Sequence, residues 1–233
     1  MEKLTQYLCM LIFSLPCLCF TQEAIAVPFL ETVVIDGADT EWGEATVFSF
    51  EDNSSHGWDV HGNFEPQDLS AKISITWNTE GLYVFVKWLD DVIDQQKIEQ
   101  SAAILTTPKG RRLDKMYLFD NLKIQLSTRE LRSTTWFTNG EEALQWHSLR
   151  LKESGTSYPA HSPIPGYAYH RQGQEAQLEI KYYWNALKIV PRQGALLEVL
   201  LVVTDSDRPK ATTDQRIANT GKFVSLSKKL LLQ

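Results

Sequence analysis

Cysteine is nearly missing from this chain, and the position of the few present decides what the rest can do. The 233 residues hold three cysteines, Cys9, Cys17 and Cys19. All three fall in an N-terminal stretch that reads as a secretory signal peptide. Lys3 gives a short basic start, Leu8 to Phe20 an apolar run, and Ala24-Ile25-Ala26 a small-x-small cleavage site. The apolar run is shorter than the roughly 20 residues a spanning helix needs. Lipid attachment through Cys17 or Cys19 stands as the alternative to simple cleavage. Removal of residues 1–26 leaves 27–233 as one cysteine-free domain, expected in the periplasm or secreted. Such a domain has no disulfide, zinc–thiolate centre or catalytic thiol, so its core must hold it together.

Other absences narrow the function. The net charge is −6 and no basic run occurs, which argues against nucleic acid and anionic lipid as partners. No second long apolar run follows the first, so no membrane span is expected after cleavage. GxSxG, HExxH, P-loop and GxGxxG motifs are all missing, and no acidic cluster has EF-hand spacing. A binding protein is therefore expected rather than an enzyme.

What is present is alternation. In Ser70 to Asp94, the apolar residues Ala71, Ile73, Ile75 and Trp77 alternate with polar ones, the period of a half-buried strand. Asn78-Thr79-Glu80-Gly81 supplies a turn, with Gly81 free to take positive φ. The return run Leu82 to Leu89 is apolar apart from Lys87 and predicts a strand covered on both faces. Leu196 to Val203 predicts a second such strand. Further strands are expected at Val33–Ile35, Val47–Phe50, Tyr117–Ser127, Thr134–Phe137, Ala143–Leu151, Ala176–Tyr182 and Phe223–Leu226. Asn139-Gly140 predicts a hairpin turn. Residues 98–105 and Trp184–Leu187 predict short helical turns, and Glu153 to Pro165 a loop. Many strands and little helix predict an all-β, two-layer antiparallel β-sandwich.

The order of these pieces, VVIDGADTEW, KISITWNTEGLYVFVKWLDD, LFDNLKIQL, LEIKYYWNALKIVPRQGALLEVLLVVTDSD and KFVSL, resembles family 9 carbohydrate-binding modules and the related DOMON domains. The resemblance implies a β-sandwich that binds either sugar or haem. The sugar-binding members carry a Trp three positions before the Asp that opens LFDNLKIQL, and a Glu three positions after it. Here those positions are Tyr117 and Lys123. No aromatic residue lies between Arg208 and Phe223, where a second Trp would complete a clamp. Tyr117 can still stack on a sugar face and Lys123 can donate to hydroxyls. FVKWLDDVID, LDKMYLF and LQWHSLRL are similar instead to the haem-binding group, which holds haem b between a Met and a Lys or His. Met116 and His147 are the candidates on that reading.

Three further indoles are candidates for an oligo- or polysaccharide ligand. Trp58 lies in a polar loop, and Trp136 and Trp146 flank the Asn139-Gly140 turn. Acidic residues cluster as Asp36 with Asp39, as Asp90 with Asp91 and Asp94, and as Asp205 with Asp207. Calcium needs several closely spaced oxygens, and the resemblance implies structural calcium, so these are candidate ligands. The plain alternative is that Asp ends strands and opens turns. Non-catalytic sugar binding is the leading expectation. A haem b electron-transfer domain and a protein-interaction scaffold are the alternatives.

Overall fold

The computed structural model of the chain describes residues 24–50, 59–61, 69–90, 121–138, 145–152, 157–158, 166–205 and 222–233. They form two sheets packed face to face. The larger has the order β1 (Ile25–Val27), β13 (Lys222–Leu232), β12 (Leu196–Asp205), β6 (Asn121–Ser127), β7 (Leu131–Thr138), β8 (Gln145–Leu151), β9 (Ser157–Tyr158). The short β3 (Asp59–His61) also pairs with β13. The smaller sheet runs β10 (Gly166–Gln172), β11 (Glu175–Tyr183), β5 (Gly81–Asp90), β4 (Leu69–Trp77), β2 (Thr46–Ser49). Pairing is antiparallel except for β1 on β13. One helical turn, α1 (Trp184–Leu187), follows β11 as its sequence predicts.

The two expected buried ribbons lie inside the sheets. Strand β5 is paired on both sides, Ile75↔Val84 to β4 and Ile180↔Val84 to β11. Strand β12 is paired to β13 and β6, with Leu201 facing Leu226 and Ile124. Leu82, Val84, Val86 and Trp88 point inward and meet Leu122, Ile124, Leu126, Val199 and Leu201 from the other layer. Each such side chain contributes about 1.5–3 kcal/mol on leaving water, so this shared core holds the two layers together.

Some local expectations change. Gly81 does not use positive φ. A Cβ there would lie 2.7 Å from the Tyr182 carbonyl oxygen, so the glycine serves the close approach of β11. The turn is held instead by Asn78, whose Oδ1 accepts from the N–H of Glu80 (2.8 Å) and of Gly81 (3.2 Å). Val33–Ile35 is not a strand. The segment from Val33 to Glu44 is an arm across the outer face of the smaller sheet, where Val33 and Ile35 pack on Trp42, Tyr83 and Phe85. The stretch read as a loop contains β9, and β10 and the C-terminal half of β13 were not expected. The anticipated processing point after Ala26 falls inside β1, with Val27 fully buried and its carbonyl accepting from the Gln233 N–H at 3.0 Å. The turns expected at residues 98–105 and 139–140 lie outside the described residues.

Candidate functional site

In β6 and β7, one set of alternating residues fills the core and the other set faces out. Leu122, Ile124 and Leu126 point inward with Phe137 and Thr135. The register then places Asn121, Lys123 and Ser127 on the outer face, with Trp136 opposite Lys123 and Arg132 opposite Ser127. Val202 and Thr204 of β12 lie beside Lys123 and Asn121. The Lys123 Nζ sits 4.9 Å from the centre of the Trp136 ring, a distance at which the ring quadrupole attracts the ammonium.

This outer face is not a bare surface. Trp136, Asn121, Thr204 and Val202 are all buried. The Thr204 hydroxyl oxygen is buried and has no hydrogen-bond partner among the described residues. Burial pushes the Lys123 ammonium below the usual lysine range, and the positive Arg132 lowers it further. Arg132 and Arg150 are Cα partners across β7 and β8. Both are exposed, and neither has an ion pair among the described residues. The face thus joins a desolvated lysine on an indole, buried polar groups, and a flanking arginine pair. It can donate several hydrogen bonds and attract negative charge.

A second cluster lies on the other side of the molecule. Glu179 points outward from the smaller sheet yet is fully buried beneath the arm. Its Oε2 accepts from the N–H groups of Asp36 (2.6 Å) and Gly37 (2.5 Å), and its Oε1 from Trp42 Nε1 at 2.8 Å. Gly37 takes φ of 86°, which turns its N–H towards this carboxylate. Trp42 stacks on Phe85 with ring centres 5.4 Å apart. Burial raises the Glu179 pKa, the three donors work against that rise, and the nearby Glu41 carboxylate adds a little to it.

Carboxylate oxygens of Asp36, Glu41 and Glu179 lie within 4.8 Å of one another. They are already engaged. Asp36 Oδ1 accepts from the Ala38 N–H, and the Glu41 oxygens accept from the Val34 N–H and the Thr40 hydroxyl. Calcium takes six to eight oxygens, more than these three carboxylates supply with one ligand atom each. The hydrogen bonds they accept tie the arm to itself and to the sheet.

The other predicted residues scatter. Asp39 is separate from Asp36 and lines a groove of about 380 Å³ with Ser70, Lys72, Lys87 and Glu175. Asp90 is buried at the end of β5, its N–H donating to the Gln174 carbonyl at 3.1 Å. Asp205 ends β12, its backbone paired with Lys222. Trp146 and His147 are placed by backbone only, opposite Trp136 and Thr135. Trp58, Asp91, Asp94, Met116, Tyr117 and Asp207 lie outside the described residues. Of the expected sugar contacts, Lys123 and Trp136 are thus brought together, with Trp146 in register beside them. Sequence reasoning missed Arg132, Arg150, Thr204 and Glu179. Their alternation marks them as outward residues, but only the strand register shows what they adjoin.

Solved structures share this architecture. A family 9 carbohydrate-binding module from Caldicellulosiruptor kristjanssonii, in complex with cellotriose, matches 91% of this chain and 94% of its own at 14% identity, with a TM-score of 0.56. The same organism's module in complex with glucose matches 91% and 96% at 14% identity, with a TM-score of 0.51. A candidate carbohydrate-binding protein from Bacteroides uniformis matches 91% and 100% at 7% identity, with a TM-score of 0.53. No family model matches the sequence, and no curated protein matches it. The fold is therefore that of the family 9 modules. Among the described residues, no helix is long and apolar enough to cross a membrane.

Proposed function

We propose that this chain is a non-catalytic carbohydrate-binding protein, exported after removal of residues 1–26. The observation that carries the reading is the sandwich it shares with modules crystallised on cellotriose and glucose, over 91% of its length. Lys123 supports it. It is the residue picked from the sequence as a hydroxyl donor, and it stands on the outer face of the larger sheet against Trp136. A lysine held on an indole loses little freedom on binding, so its hydrogen bonds to a sugar cost less side-chain entropy. Calcium and haem b have no such support among the described residues.

Titration of the purified protein with a panel of neutral and acidic oligosaccharides, followed by calorimetry and tryptophan emission, tests the reading. At least one glycan is expected to bind and to perturb the emission. Lys123→Met is expected to weaken that glycan about tenfold, or ~1.4 kcal/mol. A panel with no binder overturns the proposal. A Soret band in the purified protein would replace it with the haem reading.

A further inference from the structure

We propose that the glycan taken by the outer face of the larger sheet is anionic, a polymer bearing carboxylates such as a polyuronate. This rests on the reading above and names the ligand's charge. The chain as a whole is acidic, with a net charge of −6, yet this face is not. Strand register assembles Lys123 from β6, Arg132 from β7 and Arg150 from β8 on one side of the sheet. No basic run marks them in the sequence, because they come from three different strands.

Arg132 and Arg150 are directly opposed across two strands, an arrangement of like charges that costs stability unless something neutralises it. Among the described positions of β6, β7, β12 and β13 on this face, the one carboxylate is Glu198, which is in register with Lys229. Asp59 of β3 shares the face by register, beside Ser225, but the arginines' own cross-strand neighbours are Ser127 and Ser157, so no carboxylate stands directly beside either in the ladder. Lys123 adds a second argument. Its ammonium is desolvated and repelled by Arg132, and both penalties fall when a carboxylate arrives. The planar arginine forks suit carboxylates bidentately. A neutral glucan would leave the cations uncompensated.

The test compares four probes on the full chain by affinity electrophoresis and calorimetry. They are polygalacturonate, cellotriose, polyglutamate and single-stranded DNA. Polygalacturonate is expected to bind at least about tenfold tighter than cellotriose at low salt, and to lose most of that margin when ionic strength shortens the Debye length to about 3 Å. The double variant Arg132→Ser/Arg150→Ser should lose about tenfold for polygalacturonate while melting no lower than wild type, since both side chains are exposed. Lys188→Asn/Arg192→Ser, which removes two cations away from this face, should bind as wild type does. If cellotriose binds as well as polygalacturonate and the arginine variant is unaffected, the charge assignment falls and carbohydrate binding stands. If neither glycan binds, both fall. If polyglutamate or DNA binds as tightly as polygalacturonate, the face reads charge alone and the proposal is overturned.

Discussion

The two outer faces of this sandwich solve one problem in opposite ways. Each sheet presents alternating side chains away from the core; among them the smaller sheet carries a fully buried glutamate and the larger a half-buried lysine. On the smaller sheet the chain covers its own face. The arm from Val33 to Glu44 brings Trp42 onto Tyr83 and Phe85 and three N–H or indole donors onto Glu179. Every described need of that carboxylate is met from within. On the larger sheet the group is a half-buried lysine, and its described neighbours include an indole that attracts it and an arginine that repels it. A buried charge fully supplied with partners is structural. A half-desolvated charge left with a deficit is poised for a ligand, because binding can still gain what folding did not.

The comparison breaks if the arm is dispensable, so the largest expected effect is there. Trp42→Ala removes a buried ring stacked on Phe85 and one donor to Glu179. It should cost about 3–5 kcal/mol in urea unfolding. A loss below ~1 kcal/mol would mean that the arm is not part of the folded body. Glu179→Gln is expected to cost less, about 1–3 kcal/mol, because the amide keeps one acceptor oxygen for three donors. It also carries a pH signature. The folded-state pKa of Glu179 is raised above its ordinary value of 4.5, so the folded chain holds this proton more tightly than the unfolded chain. The corresponding stabilisation is complete below that ordinary value and is lost as pH rises through the raised one. Unfolding measured from weakly acidic to neutral pH should show a decline in wild type that Glu179→Gln lacks. Equal slopes would place the carboxylate in water.

The same contrast explains what could be read without coordinates. The sandwich was legible because burial writes itself into alternation. Leu82–Leu89 and Leu196–Val203 are apolar on both faces, and only a covered strand can afford that. The core roles of Trp77 and Trp88 follow from their parity. Strand β10 was not legible: in Gly166–Gln172 the exposed and half-buried residues carry no clean apolar alternation, as suits an edge strand. Val33–Ile35 has strand composition but finds its partners in side chains, not in a ladder. Site residues were the least legible. Lys123 and Trp136 were picked separately, and their contact depends on the β6–β7 register. Glu179 looked like an ordinary outward glutamate, because nothing local announces that a segment over 140 residues earlier will fold across it.

The smallest effect on stability belongs to Lys123→Met, and this is where the comparison sharpens most. Methionine keeps the length and apolar stem of lysine against the Trp136 ring. It gives up the cation–π attraction, worth about 0.5–2 kcal/mol. It also gives up the desolvation of an ammonium and its repulsion by Arg132, which act in the opposite direction. These terms nearly cancel, so unfolding free energy should move by less than about 1 kcal/mol. Glycan affinity should nevertheless drop about tenfold. For Trp42→Ala the expected pattern is the reverse, with stability lost and the affinity of the remaining folded protein retained. Unfolding and calorimetry on the two variants side by side decide the matter. If Lys123→Met unfolds as readily as Trp42→Ala, or binds glycan as well as wild type, the lysine belongs to the fold rather than to the ligand, and the two faces are not different in kind.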